Sequence, residues 1–395
     1  MGASERGSFL PGWLFLLAMM TALAPLSIDM YLPAFPAIAD SLEAESSDVQ
    51  VTLAIFLLGM SIGQLVYGPL SDRYGRKPPL YVGLTLYILA SFVCMFADDL
   101  ATLTIARFLQ ALGGSAGVVV SRAVIRDRTT TEQGARAFSM LMLALGLAPI
   151  LAPLVGGLVL SAVGWRGIFG LLAVMAIILL IFMHVTMIET VSRLSSDRLG
   201  LKGTSARYLN LLSDWGFLKY VLIGGLPYGG LFAYIAASPF VIIELHGVDP
   251  QHFGWLFGLN AFGLIAGSQI NARLVTRLGP GLLLRRVVWV PGIASIIGFC
   301  SVVFGFQSLP LLMFCFFLFL TSLGFLGPNA MALAMEKQGH RAGAASAVMG
   351  ALQFLLGTIG GIAVTLWAVP SALPITAIML GFGASSLCIH HLSIK

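Results

Sequence analysis

Twelve apolar segments, each long enough to cross a bilayer, follow one another along this chain with little between them. They run over 12–38, 49–70, 78–97, 100–124, 134–161 and 166–188, then 217–243, 251–273, 283–305, 308–333, 343–368 and 371–392. A hydrocarbon core needs about 20 apolar residues of helix, whereas a barrel strand needs only about 10. Backbone polar groups in lipid must be satisfied within the segment, which a helix achieves alone. Only 10% of the 395 residues are charged, against about 25% in a soluble domain. The fold class expected is therefore an all-α membrane protein with twelve transmembrane helices. The first segment is too long for a signal-peptide core and reads as the first span. Cys94, Cys300, Cys315 and Cys388 all lie in apolar runs without metal-ligand or disulfide spacing.

One long polar stretch, 189–216, divides the segments six and six. The expected organisation is an N-terminal six-helix bundle over 1–188, a cytoplasmic linker over 189–216 and a C-terminal bundle over 217–395. Of the 22 Lys and Arg, all except Arg107 and Arg166 fall on one side of the resulting topology. The opposite loops carry acids, among them Asp40, Glu43, Asp98, Asp99, Glu244 and Asp249. By the positive-inside rule the basic side is cytoplasmic, and so are both termini. The net charge of +5 is thus topological and no reason to expect nucleic acid as a partner. The halves also repeat: Gly63, Arg73 and Gly75 recur as Gly267, Arg277 and Gly279, and Gly156-Gly157 as Gly360-Gly361. Parallel six-helix repeats are one plan of secondary transporters, with the binding site between the halves.

Four stretches carry residues that could do chemistry. "LSIDMYLPAFPAIA" places Asp29 and two prolines in the first segment. Asp29 is the only acid well inside a segment, where a carboxylate costs about 2.5–3.5 kcal/mol on the insertion scale. It should face the protein interior and could load and release a proton. "RFLQALGGSAG" places Arg107 about 10 Å inside the fourth segment, with Gln110 and Gly114 on the same face. "GPLSDRYGRKP" puts Gly68, Asp72, Arg73, Gly75, Arg76 and Lys77 in the turn after the second segment. "GLAPILAPLVGG", spanning Gly146, Pro149, Pro153, Gly156 and Gly157, predicts a kinked fifth helix with a smooth face for close packing. Weaker cavity candidates are Tyr31, Gln64, Gln110, Tyr228, Tyr234, Asn260, Asn329 and Gln353, polar residues in apolar runs.

These stretches resemble the major facilitator superfamily. The G-x-x-x-D-R-x-G-R-K turn is its most specific signature, and the likeness is nearest to the bicyclomycin/chloramphenicol-resistance group of drug:proton antiporters. "SPFVIIELHGVDPQHFG" extends the likeness into the second half. The resemblance implies two pseudo-symmetric six-helix bundles and no enzymatic activity. It makes Asp72, Arg73 and Arg76 a conformational latch with Asp127 as partner, and it links Arg107 with Asp29 in proton coupling. The fifth-helix pattern is similar to the motif that marks antiporters. Some multidrug relatives carry a second acid two turns before the first; here that residue is Thr21. The function implied is proton-driven export of small drug-like molecules, bicyclomycin-type antibiotics first, chloramphenicol or sulfonamides next. The proton gradient takes the place of a cofactor and no metal is needed. The expected setting is a bacterial inner membrane, with the chain acting as a monomer. The alternative is a metabolite exporter or symporter on the same fold.

Overall fold

The computed structural model describes residues 12–129, 131–187, 189, 201–338, 342–367 and 369–393. Arg6, Arg193, Arg198, Arg341 and Lys395, counted above in the basic face, lie outside them. Among the described residues, twelve helices are long and apolar enough to span a membrane. They are α1 Gly12–Ser41, α2 Ser46–Tyr74, α3 Lys77–Met95, α4 Leu100–Arg128, α5 Thr131–Val163 and α6 Trp165–Thr186. The second six are α7 Trp215–Leu245, α8 Pro250–Leu278, α9 Pro280–Val303, α10 Leu309–Met335, α11 Ala342–Leu366 and α12 Leu373–Ser393. A further helix, Leu201–Ser213, occupies part of the stretch expected as a linker.

Local chemistry sets the ends. Asp99 caps α4 by accepting the Thr102 N–H at 2.8 Å, and Asp249 caps α8 through the Gln251 N–H at 2.8 Å. The turns after α2 and α8 need a left-handed residue, supplied by Gly75 (φ +93°) and Gly279 (φ +75°). Both glycines belong to the internal repeat, so the repeat is partly a repeat of turn geometry.

The structure corrects the expected spans at three places. α1 is not continuous: its α-helical part ends at Asp29, a 3-10 turn follows at Leu32–Ala34, and helix resumes at Phe35–Ser41. Pro33 has no N–H to donate to the Asp29 carbonyl four residues back, so the break falls there. α9 is likewise split, into Pro280–Val287 and Trp289–Val303. Several helices run a turn further than expected on the basic side. Arg126 and Arg128, beyond the expected end at 124, lie within α4, and Arg122 is half-buried near that end.

The repeated glycines also fix helix packing. A Cβ on Gly63 would strike Ser115 of α4, and one on Gly267 would strike the Thr321 carbonyl of α10. A Cβ on Gly156 would collide with the Met30 backbone of α1, and one on Gly360 with the Gly229 backbone of α7. The α2–α4 and α5–α1 contacts of one bundle thus recur as α8–α10 and α11–α7 in the other. Between bundles, α2 packs on α11 and α5 on α8. A Cβ on Gly361 would lie 3.3 Å from Ala54, Ser61 Oγ donates to the Ala351 carbonyl at 2.8 Å, and Gln64 sits against Gly350. Gly254 abuts Leu154 and Gly146 abuts Ile265 along the other seam.

Candidate functional site

The α1 break brings together Asp29, Gly156 of the fifth-helix motif and, through Tyr31, Arg107, with the second bundle alongside. Asp29, 3% exposed, ends the first helical part of α1. No described residue hydrogen-bonds or ion-pairs with its carboxylate. The next residue, Met30, offers its backbone to Gly156 of α5, so the glycine of the fifth-helix motif is what lets α5 seat against the break. Tyr234 of α7 stands within electrostatic reach of Asp29 from the other bundle. Its hydroxyl accepts from Asn260 Nδ2 of α8 at 2.9 Å, while Asn260 Oδ1 is buried without a partner. Tyr234 also stacks on Phe257 at 5.6 Å between centroids.

Arg107 is completely buried. Its guanidinium carbon lies 4.5 Å from the Tyr31 ring centroid, 4.2 Å from Phe56 and 5.7 Å from Phe169. Nη1 donates to Gln110 Oε1 at 2.7 Å, and Gln110 Nε2 donates to Ser91 Oγ at 2.8 Å. Nε and Nη2 have no acceptor. No carboxylate among the described residues lies within ion-pair distance of Arg107. A cation in this setting is held by aromatic faces and one amide, an arrangement worth about 2 kcal/mol or more per desolvated cation–π contact. Tyr31 and Thr52 hydroxyls are 2.6 Å apart, and Ser27 and Tyr87 hydroxyls pair within the same bundle.

Arg107 and Asp29, expected to act together, are therefore linked through Tyr31, two residues past Asp29, rather than by a direct contact. The sequence reading missed Phe56, Phe169, Ser91 and Tyr87. Nothing distinguishes them in sequence from other apolar or small residues, and only the fold turns them toward the arginine. Arg122 was also missed as an interior group; it lies within electrostatic reach of Tyr228 across the seam.

The remaining cavity candidates divide. Gln110 is fully buried and engaged at both ends of its amide. Asn329 donates to Asn271 Oδ1 at 2.6 Å, a helix–helix bond between α10 and α8. Gln64 is buried at the α2–α11 seam, and Gln353 is half-buried on α11. Glu244, one of the acids of the outer loops, accepts from Ser46 Oγ at 2.7 Å and so ties α7 to α2 on the acid-rich face.

On the basic face Arg76 is the centre of the turn. Its Nη1 donates to Asp72 Oδ1 at 2.6 Å and Nε to Asp127 Oδ2 at 2.8 Å. Burial works to lower the Arg76 pKa, but hydrogen bonds and charge from Asp127 and Asp72 hold it above the usual arginine value. Arg73, expected in the latch, stands apart: it is exposed and its guanidinium lies 5.3 Å from the Tyr74 ring. Glu189 takes a place the sequence reading left empty. Its carboxylate accepts the backbone N–H of Arg76 at 2.8 Å and of Lys77 at 3.0 Å, at the start of α3.

Two like bundles meeting at a helix break that carries a buried acid are the architecture of a membrane transporter. The chain belongs to the Major Facilitator Superfamily, whose family model matches residues 17–362. It is 40% identical over 351 residues to an uncharacterised transporter of this type, YdgK of Bacillus subtilis, covering 87% of this chain and 86% of that one. It is 30% identical over 376 residues to a bicyclomycin resistance protein homolog of Haemophilus influenzae, covering 94% and 92%. It is 30% identical over 350 residues to multidrug resistance protein D of Escherichia coli, covering 86% and 85%. Among solved structures, a D-xylose–proton symporter superposes with a TM-score of 0.73 at 14% identity, covering 96% of each chain, which shows the shared fold.

Proposed function

We propose that this transporter is a proton-coupled antiporter that exports small drug-like molecules, bicyclomycin-type antibiotics first, with chloramphenicol and sulfonamides as further candidates. It works as a monomer in a bacterial inner membrane, with both termini and the basic loops cytoplasmic. The observation that carries the reading is Asp29: a buried carboxyl at a helix break, with no hydrogen-bond or ion-pair partner among the described residues and within electrostatic reach of Tyr234 of the other bundle. Ionised, it helps hold substrate taken from the cytoplasmic side. Protonated from the opposite side, it loosens that hold and the drug leaves. Inward proton flow supplies about 2.3 kcal/mol per charge per 100 mV, plus the pH gradient. Arg107 sets the field at the break through Tyr31. Helix α5, seated on Met30, couples movement of the break to the α5–α8 seam. The names of the Haemophilus influenzae and Escherichia coli relatives support drug export.

Everted vesicles test the role of Asp29. Asp29→Asn is expected to abolish proton-driven drug accumulation, and accumulation at the wild-type rate would overturn the assignment. A susceptibility panel in an efflux-deficient host tests the substrate class. Raised tolerance to bicyclomycin supports it, and no change across all three drug types overturns it.

A further inference from the structure

His246 follows the last turn of α7, just beyond the membrane-spanning stretch that ends at Leu245. That turn, Phe240–Leu245, is a π-helix. Gly247 (φ +67°) then reverses the chain, and the Val248 N–H returns to the Ile242 carbonyl at 3.2 Å, which closes the helix end. The reversal leaves the half-buried His246 ring between two main-chain oxygens. Nδ1 lies 2.7 Å from the Val241 carbonyl oxygen, one wide turn back. Nε2 lies 2.9 Å from the Gln307 carbonyl oxygen, in the connection between α9 and α10.

These partners fix the charge of the ring. A carbonyl oxygen only accepts, so each ring nitrogen must bring it a proton. A neutral imidazole has one N–H, and only the imidazolium has two. When the ring loses a proton it turns a lone pair toward one carbonyl, and that bond is gone. The bond at stake is the one to Gln307, because Val241 belongs to the ring's own helix end while Gln307 belongs to a separate connection. Acids do not account for the position. The connection 304–308 and the first turn of α10 hold no titratable side chain. On the ring's own segment, Glu244 takes the Ser46 hydroxyl of α2 and Asp249 caps α8. His252 stands in the first turn of α8, and Glu45 and Asp48 stand at the start of α2. None of these acids lies within ion-pair distance of His246 among the described residues.

One short segment therefore carries two ties. Glu244 holds α7 to α2 of the first bundle, and His246, two residues on, holds it to the α9–α10 connection of the second. Both ties are on the acid-rich face, the side from which the proposed antiport draws protons. Histidine changes charge between about pH 5 and 8. We propose that His246 is a second proton-binding site, beyond the membrane-spanning part of α7 and separate from Asp29. Protonated, it straps α7 to the α9–α10 connection and keeps Glu244 on Ser46, so acid outside favours closure of the outer face. Neutral, it frees the end of α7, and the outer face opens. In an antiporter, outer closure is the step that follows proton loading, so the strap works in the direction of inward proton flow. That place in the cycle rests on the proton-coupled reading, whereas the doubly protonated ring and the strap rest on the geometry alone.

Nitrogen NMR of the full-length protein in nanodiscs, with isotope-labelled histidine, tests the site, and His246→Gln identifies its signals. At about pH 5.5 both ring nitrogens of His246 should carry protons, and at about pH 8 one of them should not. A neutral ring at the lower pH overturns the site. Spin-label distances test the strap, with labels at Val163→Cys and Leu366→Cys, both exposed at the outer ends of α5 and α11. The protein carries Cys300→Ser and Cys388→Ser, which leaves only the buried cysteines. The closed fraction at the lower pH should exceed that at the higher pH at least twofold, and His246→Gln should abolish the difference. A distribution indifferent to pH, or an equal response in His246→Gln, overturns the strap. The response should persist in Asp29→Asn, and its disappearance there transfers the sensing to Asp29 and overturns the role of His246. Wild-type drug transport by Asp29→Asn vesicles would instead overturn the reading of Asp29 and leave the strap standing.

Discussion

The Arg107 guanidinium lies 4.5 Å from the ring of Tyr31, and that ring is attached two residues beyond Asp29. The buried cation of α4 is thus mechanically connected to the break in α1, and no carboxylate among the described residues pairs with it. Planarity matters here, because the guanidinium is stacked on rings and donates one hydrogen bond to Gln110. An ammonium on a flexible stem reproduces neither feature. Arg107→Lys should therefore lose transport in vesicles nearly as fully as Arg107→Gln. Tyr31→Leu should retain measurable transport and lower stability by about 1–2 kcal/mol, followed by thermal unfolding in detergent.

The paired glycines of α5 should behave differently from each other. A Cβ on Gly156 meets the Met30 backbone, which cannot swing away. At Gly157 the nearest atom is the Pro250 carbonyl oxygen at 3.7 Å, an ordinary contact. Gly156→Ala should destabilise by about 1–3 kcal/mol and impair transport, as overpacking does. Gly157→Ala should leave both the melting temperature and vesicle transport close to wild type.

The ion-paired turn between α2 and α3 should depend on Arg76 and Asp127 far more than on Arg73. The Arg76 side chain is 4% exposed and that of Asp127 20%, whereas that of Asp72 is 65% exposed. Asp127→Asn removes a charged acceptor from a nearly buried guanidinium and should cost about 1.5–3 kcal/mol. Asp72→Asn should cost about 0–1 kcal/mol, as exposed pairs do. Arg73→Gln should change neither stability nor transport. Unfolding curves of the three variants, measured side by side, check the order.

Glu189 is expected to act on α3 as a capping residue acts on any helix. Its two backbone acceptor bonds at Arg76 and Lys77 satisfy donors that the helix cannot. Glu189→Ala should destabilise by about 0.5–2 kcal/mol. Amide hydrogen exchange should rise first in the α2–α3 turn, with Glu189→Gln intermediate.

Asp99 gives a pH dependence with a definite sign. Hydrogen bonds from the Thr102 N–H and hydroxyl hold its carboxyl below the ordinary carboxylate range. A carboxylate with a depressed folded-state pKa stabilises fully above its unfolded pKa and loses that contribution as pH falls through the folded one. Wild type should therefore exceed Asp99→Asn in melting temperature at pH 7, and the gap should close below about pH 4. A gap that persists unchanged at pH 3 contradicts the assignment.

The amino-acid sequence determined the class and the plan. Twelve apolar runs can only be spanning helices, because lipid offers no partner to unpaired backbone. The Lys and Arg asymmetry orders the loops, and the repeat of glycines predicts two like bundles. Asp29 and Arg107 were legible for the same reason: ionised groups are conspicuous where almost everything is apolar. Their relation was not. That Arg107 meets Tyr31, Phe56 and Phe169 instead of an acid depends on how α1, α2, α4 and α6 pack. Rings look alike in sequence whether they face lipid or a cation. Glu189 was silent because a capping contact 113 residues from Arg76 leaves no local pattern. The break in α1 lies between these cases. Pro33 and Pro36 announce it, and tertiary packing decides its use, because only the missing Cβ of Gly156 lets α5 close over the Met30 backbone.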